Sequence, residues 1–249
     1  MWHPDTHQDR FKIIEECSSS PVAFGAQTKL RHGGGQFLAT DAQRHLYMVA
    51  DRADLLVVTK ARQIGMTEAV VRYLLWKAVF KGETSIVYAP TRGMAQNACE
   101  KLMAAYRSLP AWVRESIAPP ISMTKDHLIL DNGSEIQFSS ATIAGTCGMS
   151  ADNLFIDEAA FCDGRDFWYS VMPIVYEAKN TIIASTLASR GDQFDKLRIG
   201  AMDPKQAHST HLQIPFCTTP DGRTLEDMAS AHTEDTFRTE LLCMYPEAE

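Results

Sequence analysis

Apolar residues in this 249-residue chain fall into short unbroken runs separated by longer amphipathic stretches. Leu55-Leu56-Val57-Val58-Thr59 is apolar, β-branched and bounded by polar residues, which predicts a buried strand. Over 68–81, Val70, Val71, Leu74, Leu75, Ala78 and Val79 recur at helical spacing. The same alternation continues with a strand over 84–91 and a helix over 93–109, whose Ala95, Ala98, Leu102 and Tyr106 share one face. Alternating apolar residues around Asn132-Gly133 predict a hairpin over 127–138. Further strands are expected over 153–157, 180–186 and 212–215. A helix is expected over 166–177, with its aromatic residues Phe167, Trp168, Tyr169 and Tyr176 in the core. A helix over 37–53 leads into the first strand, and short helices over 225–231 and 234–244 follow the last. Residues 1–36 carry little periodicity, and Ser18-Ser19-Ser20-Pro21 and Gly33-Gly34-Gly35 mark them as a peripheral arm. Strands alternating with helices imply a mainly parallel sheet flanked by helices.

The link between the first strand and the first core helix carries Lys60-Ala61-Arg62-Gln63-Ile64-Gly65-Met66-Thr67. A strand, a glycine-bearing loop and a helix N-terminus converge backbone N–H groups on an anion. Against the phosphate-loop pattern G-x-x-x-x-G-K-[ST], Lys60 takes the place of the first glycine and Met66 that of the lysine. Thr67 retains a hydroxyl suited to Mg²⁺, and Lys60 and Arg62 put two cations at the start of the loop. An ordinary turn explains this segment equally well when it is taken alone. The strand over 153–157 ends in Asp157-Glu158, where Asp can hold Mg²⁺ and Glu can polarise a water for attack on a γ-phosphate. An isolated Asp-Glu pair is as readily a helix cap. Both features, in this order on one parallel sheet, point to a nucleoside triphosphatase.

Arg62-Gln63-Ile64-Gly65-Met66-Thr67 and Asp157-Glu158-Ala159-Ala160 resemble two motifs of the ATPase domain in large subunits of viral (bacteriophage) DNA-packaging terminases. The likeness runs over about residues 37–246. It implies an α/β P-loop NTPase core of the ASCE/RecA-like kind at 37–215, after the arm at 1–36. A small lid or linker region at 216–249 would follow. It also implies ATP and Mg²⁺, with Lys60 and the backbone of Ala61, Arg62, Gln63, Gly65 and Met66 around the phosphates. Thr67 and Asp157 would hold the metal, Glu158 would orient water, and Arg62 would offset developing charge in cis. By the same resemblance Gln43 contacts adenine, while Ser185 and Thr186 sense the γ-phosphate. The plainer roles are a solvated helix glutamine, a helix cap for Ser185 and Thr186, and a loop-stiffening salt bridge for Arg62. Many members place Arg-Gly ahead of the acidic strand; Cys147-Gly148 stands here, so a trans-acting arginine is not expected at that point. Arg92, after Ala89-Pro90-Thr91, would face nucleic acid or serve as a plain surface charge.

Partners implied by the resemblance are double-stranded DNA, a portal protein, a small terminase subunit and sister subunits in a ring, all in the host cytoplasm. An RNase H-like nuclease domain would begin where Glu249 stands, so the chain is expected to be an ATPase fragment. A helicase-like ATPase would need a second motor domain, and a nucleotide kinase would need an arginine-rich lid. A catalytically silent nucleotide-binding module is motivated by Met66 and opposed by Glu158.

Composition adds constraints rather than identity. A net charge of −7 argues against a broad basic surface that grips DNA unaided. No apolar run approaches a membrane span. The six cysteines (Cys17, Cys99, Cys147, Cys162, Cys217 and Cys243) form no CxxC pair, which disfavours zinc and fits reduced thiols. His208 and His211 lack a third ligand nearby and are expected to be surface histidines.

Overall fold

The computed structural model describes residues 7–146, 148–162, 164–206, 208–216, 224–229 and 232–246. Its eight strands are β1 (Leu55–Lys60), β2 (Ser85–Ala89), β3 (Pro120–Met123), β4 (His127–Leu130), β5 (Glu135–Ser140), β6 (Asn153–Asp157), β7 (Asn180–Ser185) and β8 (Ser209–Ile214). They form one sheet in the order β3-β4-β5-β2-β6-β7-β1-β8. From β5 to β8 all neighbours are parallel, and β3 and β4 add an antiparallel margin.

The unbroken apolar runs follow from burial on both faces. Val58, Val87, Phe155 and Ile182 enter one hydrophobic layer, while Val57, Ile86, Ile156 and Ile183 enter the other. Successive strand residues point to opposite faces, so a doubly covered strand needs apolar residues at every position. The first layer is covered by α1 (His7–Ser19), α2 (Pro21–Gly25), α3 (Asp41–Ala50), α4 (Met66–Lys81), α5 (Arg92–Ser108) and α6 (Ala111–Ser116). The short α7 (Ile143–Thr146) precedes β6; α8 (Arg165–Glu177) and α9 (Gln193–Ala201) cover the second layer. The last described helices are α10 (Leu225–Ala229) and α11 (Glu234–Glu240).

The expected peripheral arm is instead, over residues 7–36, two helices and a bridged turn packed on the core. Ile13, Cys17 and Phe24 are buried there, and the fully buried Arg72 of α4 reaches into the segment. Its guanidinium donates to Thr28 Oγ1 at 2.8 Å and to the Lys29 carbonyl at 2.8 Å, and it stacks on the Phe37 ring. It also pairs with Glu68 one turn earlier in α4. The helix expected over 37–53 begins only at Asp41, because Thr40 and Gln43 form a reciprocal capping box. Strand β3 and helix α6 are unannounced in the pattern. Strand β8 starts three residues before the expected strand, since its polar Ser209-Thr210-His211 lies on a sheet edge. The aromatic stripe of α8 divides: Phe167 and Trp168 are buried, whereas Tyr169 and Tyr176 face solvent seven residues apart. Cys147 and the turn at 221–223 lie outside the described residues.

Candidate active site

Strand β7 lies between β1 and β6, and the register aligns Thr59 with Ser185 and Asp157 with Ala184. Lys60, Ser185 and Asp157-Glu158 therefore stand side by side at the C-terminal strand ends, where open parallel sheets bind ligands. The loop after β1 turns through two left-handed residues, Gln63 (φ 60°) and Gly65 (φ 72°), before α4 begins. Alternation of this kind points successive amides toward one concavity. No side chain caps the N-terminus of α4, so its first-turn N–H groups are left to a ligand or water.

Two contacts join the loop to the acidic strand. Thr67 Oγ1 donates to Asp157 Oδ2 at 2.7 Å, and Lys60 Nζ lies 2.7 Å from Glu158 Oε1. Lys60 is buried, its side chain 5% exposed, so its ammonium is directed along the strand end rather than into solvent. Glu158 has a left-handed backbone (φ 49°), uncommon for a residue with a side chain and typical of strained functional positions. Its Oε2 is buried without a hydrogen-bond partner among the described residues. Asp157 Oδ1 accepts the Glu158 N–H at 3.1 Å. Burial, and next the neighbouring Glu158 charge, push the Asp157 carboxyl above its ordinary range. Ser185 Oγ accepts the Ala160 N–H at 3.1 Å and so fixes the single 3₁₀ turn, Ala159–Phe161, that follows Glu158. Thr186 is buried beside it.

Three residues occupy positions that the linear pattern leaves undetermined. The Met66 side chain points into the core at 2% exposure, so this position offers the site only its backbone. Gln43 is buried with both ends of its amide engaged. Its Oε1 accepts the Thr40 N–H at 3.0 Å, and its Nε2 donates to the Gly65 carbonyl at 2.9 Å. Arg62 Nη1 donates to Glu240 Oε1 at 2.6 Å, away from Glu158. The backbone amides of Ala61 and Arg62 donate to the carbonyls of Ile214 and Glu240, leaving the later part of the loop to face a ligand. Glu240 carries no motif, and only the folding of α11 onto the loop identifies it. His208 pairs with Asp54 and His211 with Thr59 Oγ1, each at 2.9 Å. No cluster of metal-binding side chains occurs among the described residues. Arg92 is exposed at the start of α5.

A phosphate loop after β1, an acidic pair at the tip of β6 and an intervening β7 define a P-loop NTPase of the ASCE class. The chain belongs to the family of terminase large subunits, T4-like-virus type, whose N-terminal part matches residues 57–238. Solved terminase structures share the fold. The large terminase ATPase domain of Thermus phage P74-26 superposes with a TM-score of 0.60 at 16% identity, covering 81% of this chain and 93% of that one. The HK97 bacteriophage large terminase gives 0.68 at 19% identity, covering 92% of this chain and 49% of its own. A large terminase from a thermophilic bacteriophage, in complex with ADP, gives 0.63 at 13% identity, covering 82% of this chain and 53% of its own. The chain thus spans about half the length of these last two proteins. No curated protein matches the sequence. No described helix is long and apolar enough to cross a membrane.

Proposed function

We propose that this chain binds and hydrolyses ATP as the motor domain of a DNA-packaging terminase. The observation that carries the reading is the row of Lys60, Glu158, Thr67 and Asp157 across β1 and β6, with Glu158 Oε2 buried and unpartnered. A buried carboxylate oxygen without a donor carries a desolvation penalty that a bound water would relieve.

The residues divide the chemistry as follows. Lys60 and the amides from Gln63 to Thr67 bind the β- and γ-phosphates. Thr67 and Asp157 fit a hard cation, offering hydroxyl and carboxylate oxygens already held together, and a carboxylate with a raised pKa gains from a neighbouring positive charge. Mg²⁺ bound there would neutralise charge on the transferring phosphoryl group. Lys60 is shared between Glu158 and the phosphates, so phosphate binding weakens its hold on Glu158. The freed carboxylate then orients a water for in-line attack. Ser185 keeps the turn after Glu158 in place, and Thr186 beside it is suited to sensing the γ-phosphate. Gln43 braces Gly65; contact with adenine would require its amide to leave that carbonyl. Arg62 supplies positive charge once released from Glu240.

Double-stranded DNA, a portal protein, a small terminase subunit and neighbouring copies of the chain follow from membership of the family, as does a place in the host cytoplasm. The test is Mg²⁺-dependent nucleotide binding and turnover. Lys60→Ala should lose binding. Glu158→Gln should bind nucleotide yet hydrolyse it about 10²–10⁴-fold more slowly, the range for loss of a general base. Absence of nucleotide binding by the parent would reject the motor reading and favour a silent module.

A further inference from the structure

The C-terminal segment forms a strap over the strand ends. From α11 the Glu240 carbonyl accepts the Arg62 N–H at 2.7 Å, and the Leu241 carbonyl accepts the Phe216 N–H at 2.8 Å. Cys243 then buries its thiol against the Ile214 carbonyl, 3.4 Å away. Tyr245 stacks under the Arg190 guanidinium and donates its hydroxyl to the Ser189 carbonyl at 3.1 Å. One short stretch thereby touches the phosphate loop at its start and the loop following β7 at its end.

The side-chain contact at the start of the strap is the informative one. Arg62 is 58% exposed and free to turn, yet its guanidinium is held by the less exposed Glu240 carboxylate. The main-chain bond between the same two residues keeps that carboxylate within reach whatever the arginine does. His232 Nε2 approaches the other carboxylate oxygen at 3.4 Å, which anchors Glu240 on the strap side.

We propose that Glu240 is a positioning residue for Arg62: its carboxylate competes with the terminal phosphate of a nucleoside triphosphate for the guanidinium. The inference rests on the nucleotide-binding reading above. A phosphate presents more charge and the same bidentate geometry, so it displaces the carboxylate. A diphosphate has no terminal group at that position and leaves the latch closed. The strap is therefore tight with diphosphate and loosened with triphosphate, and the difference is delivered at the loop after β7.

The experiment compares ATPγS and ADP affinities, with Mg²⁺, for the parent, Glu240→Gln, Arg62→Ala and the double variant. Removing the competitor's charge should tighten ATPγS about two- to fivefold, the range for an exposed charge pair, and leave ADP unchanged. The gain should vanish in the Arg62→Ala background. Equal shifts for both nucleotides, or a gain that persists without Arg62, would overturn the latch while leaving the ATPase reading intact. A parent that binds neither nucleotide rejects both. A second measurement needs no variant: amide hydrogen exchange over 237–246 should quicken with ATPγS and stay unchanged with ADP. Equal exchange in the two states counts against the latch.

Discussion

Two ion pairs at single-residue scale set how the site behaves before nucleotide arrives. Lys60 holds Glu158, and Glu240 holds Arg62, so both groups proposed for the chemistry start out engaged elsewhere. Asp157 is the costliest member at this scale, since its carboxylate is buried beside another acid. Asp157→Asn should therefore abolish Mg²⁺-dependent turnover and raise the melting temperature of the nucleotide-free protein. About 2–4 °C is expected for each kcal/mol of relieved desolvation in a chain of this size. A lower melting temperature for the variant would show that its contacts with Thr67 and the Glu158 amide outweigh burial. Gln43 provides a second case. If its amide braces Gly65, Gln43→Ala weakens ATP and GTP by the same factor; a loss confined to ATP would identify a base reader.

Among the elements, the most consequential junction is between α4 and the segment ahead of β1. Arg72 saturates its guanidinium with Thr28, Lys29 and Glu68 and stacks on Phe37, all without exposure. Arg72→Ala would strand the Glu68 carboxylate and two polar groups. It should cost about 3–5 kcal/mol in denaturant unfolding, a typical penalty for breaking a buried pair. A loss below about 1 kcal/mol would mean that water replaces the arginine, in the manner of a surface pair. The strands over 55–60, 85–89, 153–157 and 180–185 are legible in the sequence because burial on both faces forces an apolar run. The helices at α1 and α2 are not, because their burial depends on a few residues such as Ile13, Cys17 and Phe24 meeting a distant α4 and α6. Tyr169 and Tyr176 mislead for the opposite reason: aromatic character suggests burial, whereas helix phase turns them outward.

The whole molecule couples its sheet edge to pH through His211. Burial, and secondarily the Arg198 charge, lower this imidazole from 6.5 to about 4. Folding therefore favours the neutral ring. The stability it contributes is complete above the unfolded value of 6.5 and is lost as pH falls from there through about 4. His211→Gln, which keeps a partner for Thr59, should flatten the acid limb of a melting-temperature profile over that interval. An unchanged limb would place the sensitivity elsewhere. Assembly is also read at this scale: with a net charge of −7, a single copy is poorly suited to holding DNA. If a ring completes the site, turnover should rise more steeply than linearly with protein concentration; strict proportionality would argue for a site complete within one copy.

The residues of the phosphate loop and the acidic strand tip are identifiable in the sequence because each is a local device. An apolar run makes the strand, Gly65 permits the turn, and polar groups stand where the run stops. Tertiary structure alone decided which of those groups meet. The order β6-β7-β1 brings Lys60 to Glu158 and Thr67 to Asp157 across some ninety residues of chain or more, and helix phase takes the Met66 side chain into the core. It also brought Glu240, a residue in no motif, onto Arg62, 178 positions away. Periodicity reports which face of an element is buried, and only the packing of all the elements together fixes what that face, or the end of a strand, will touch.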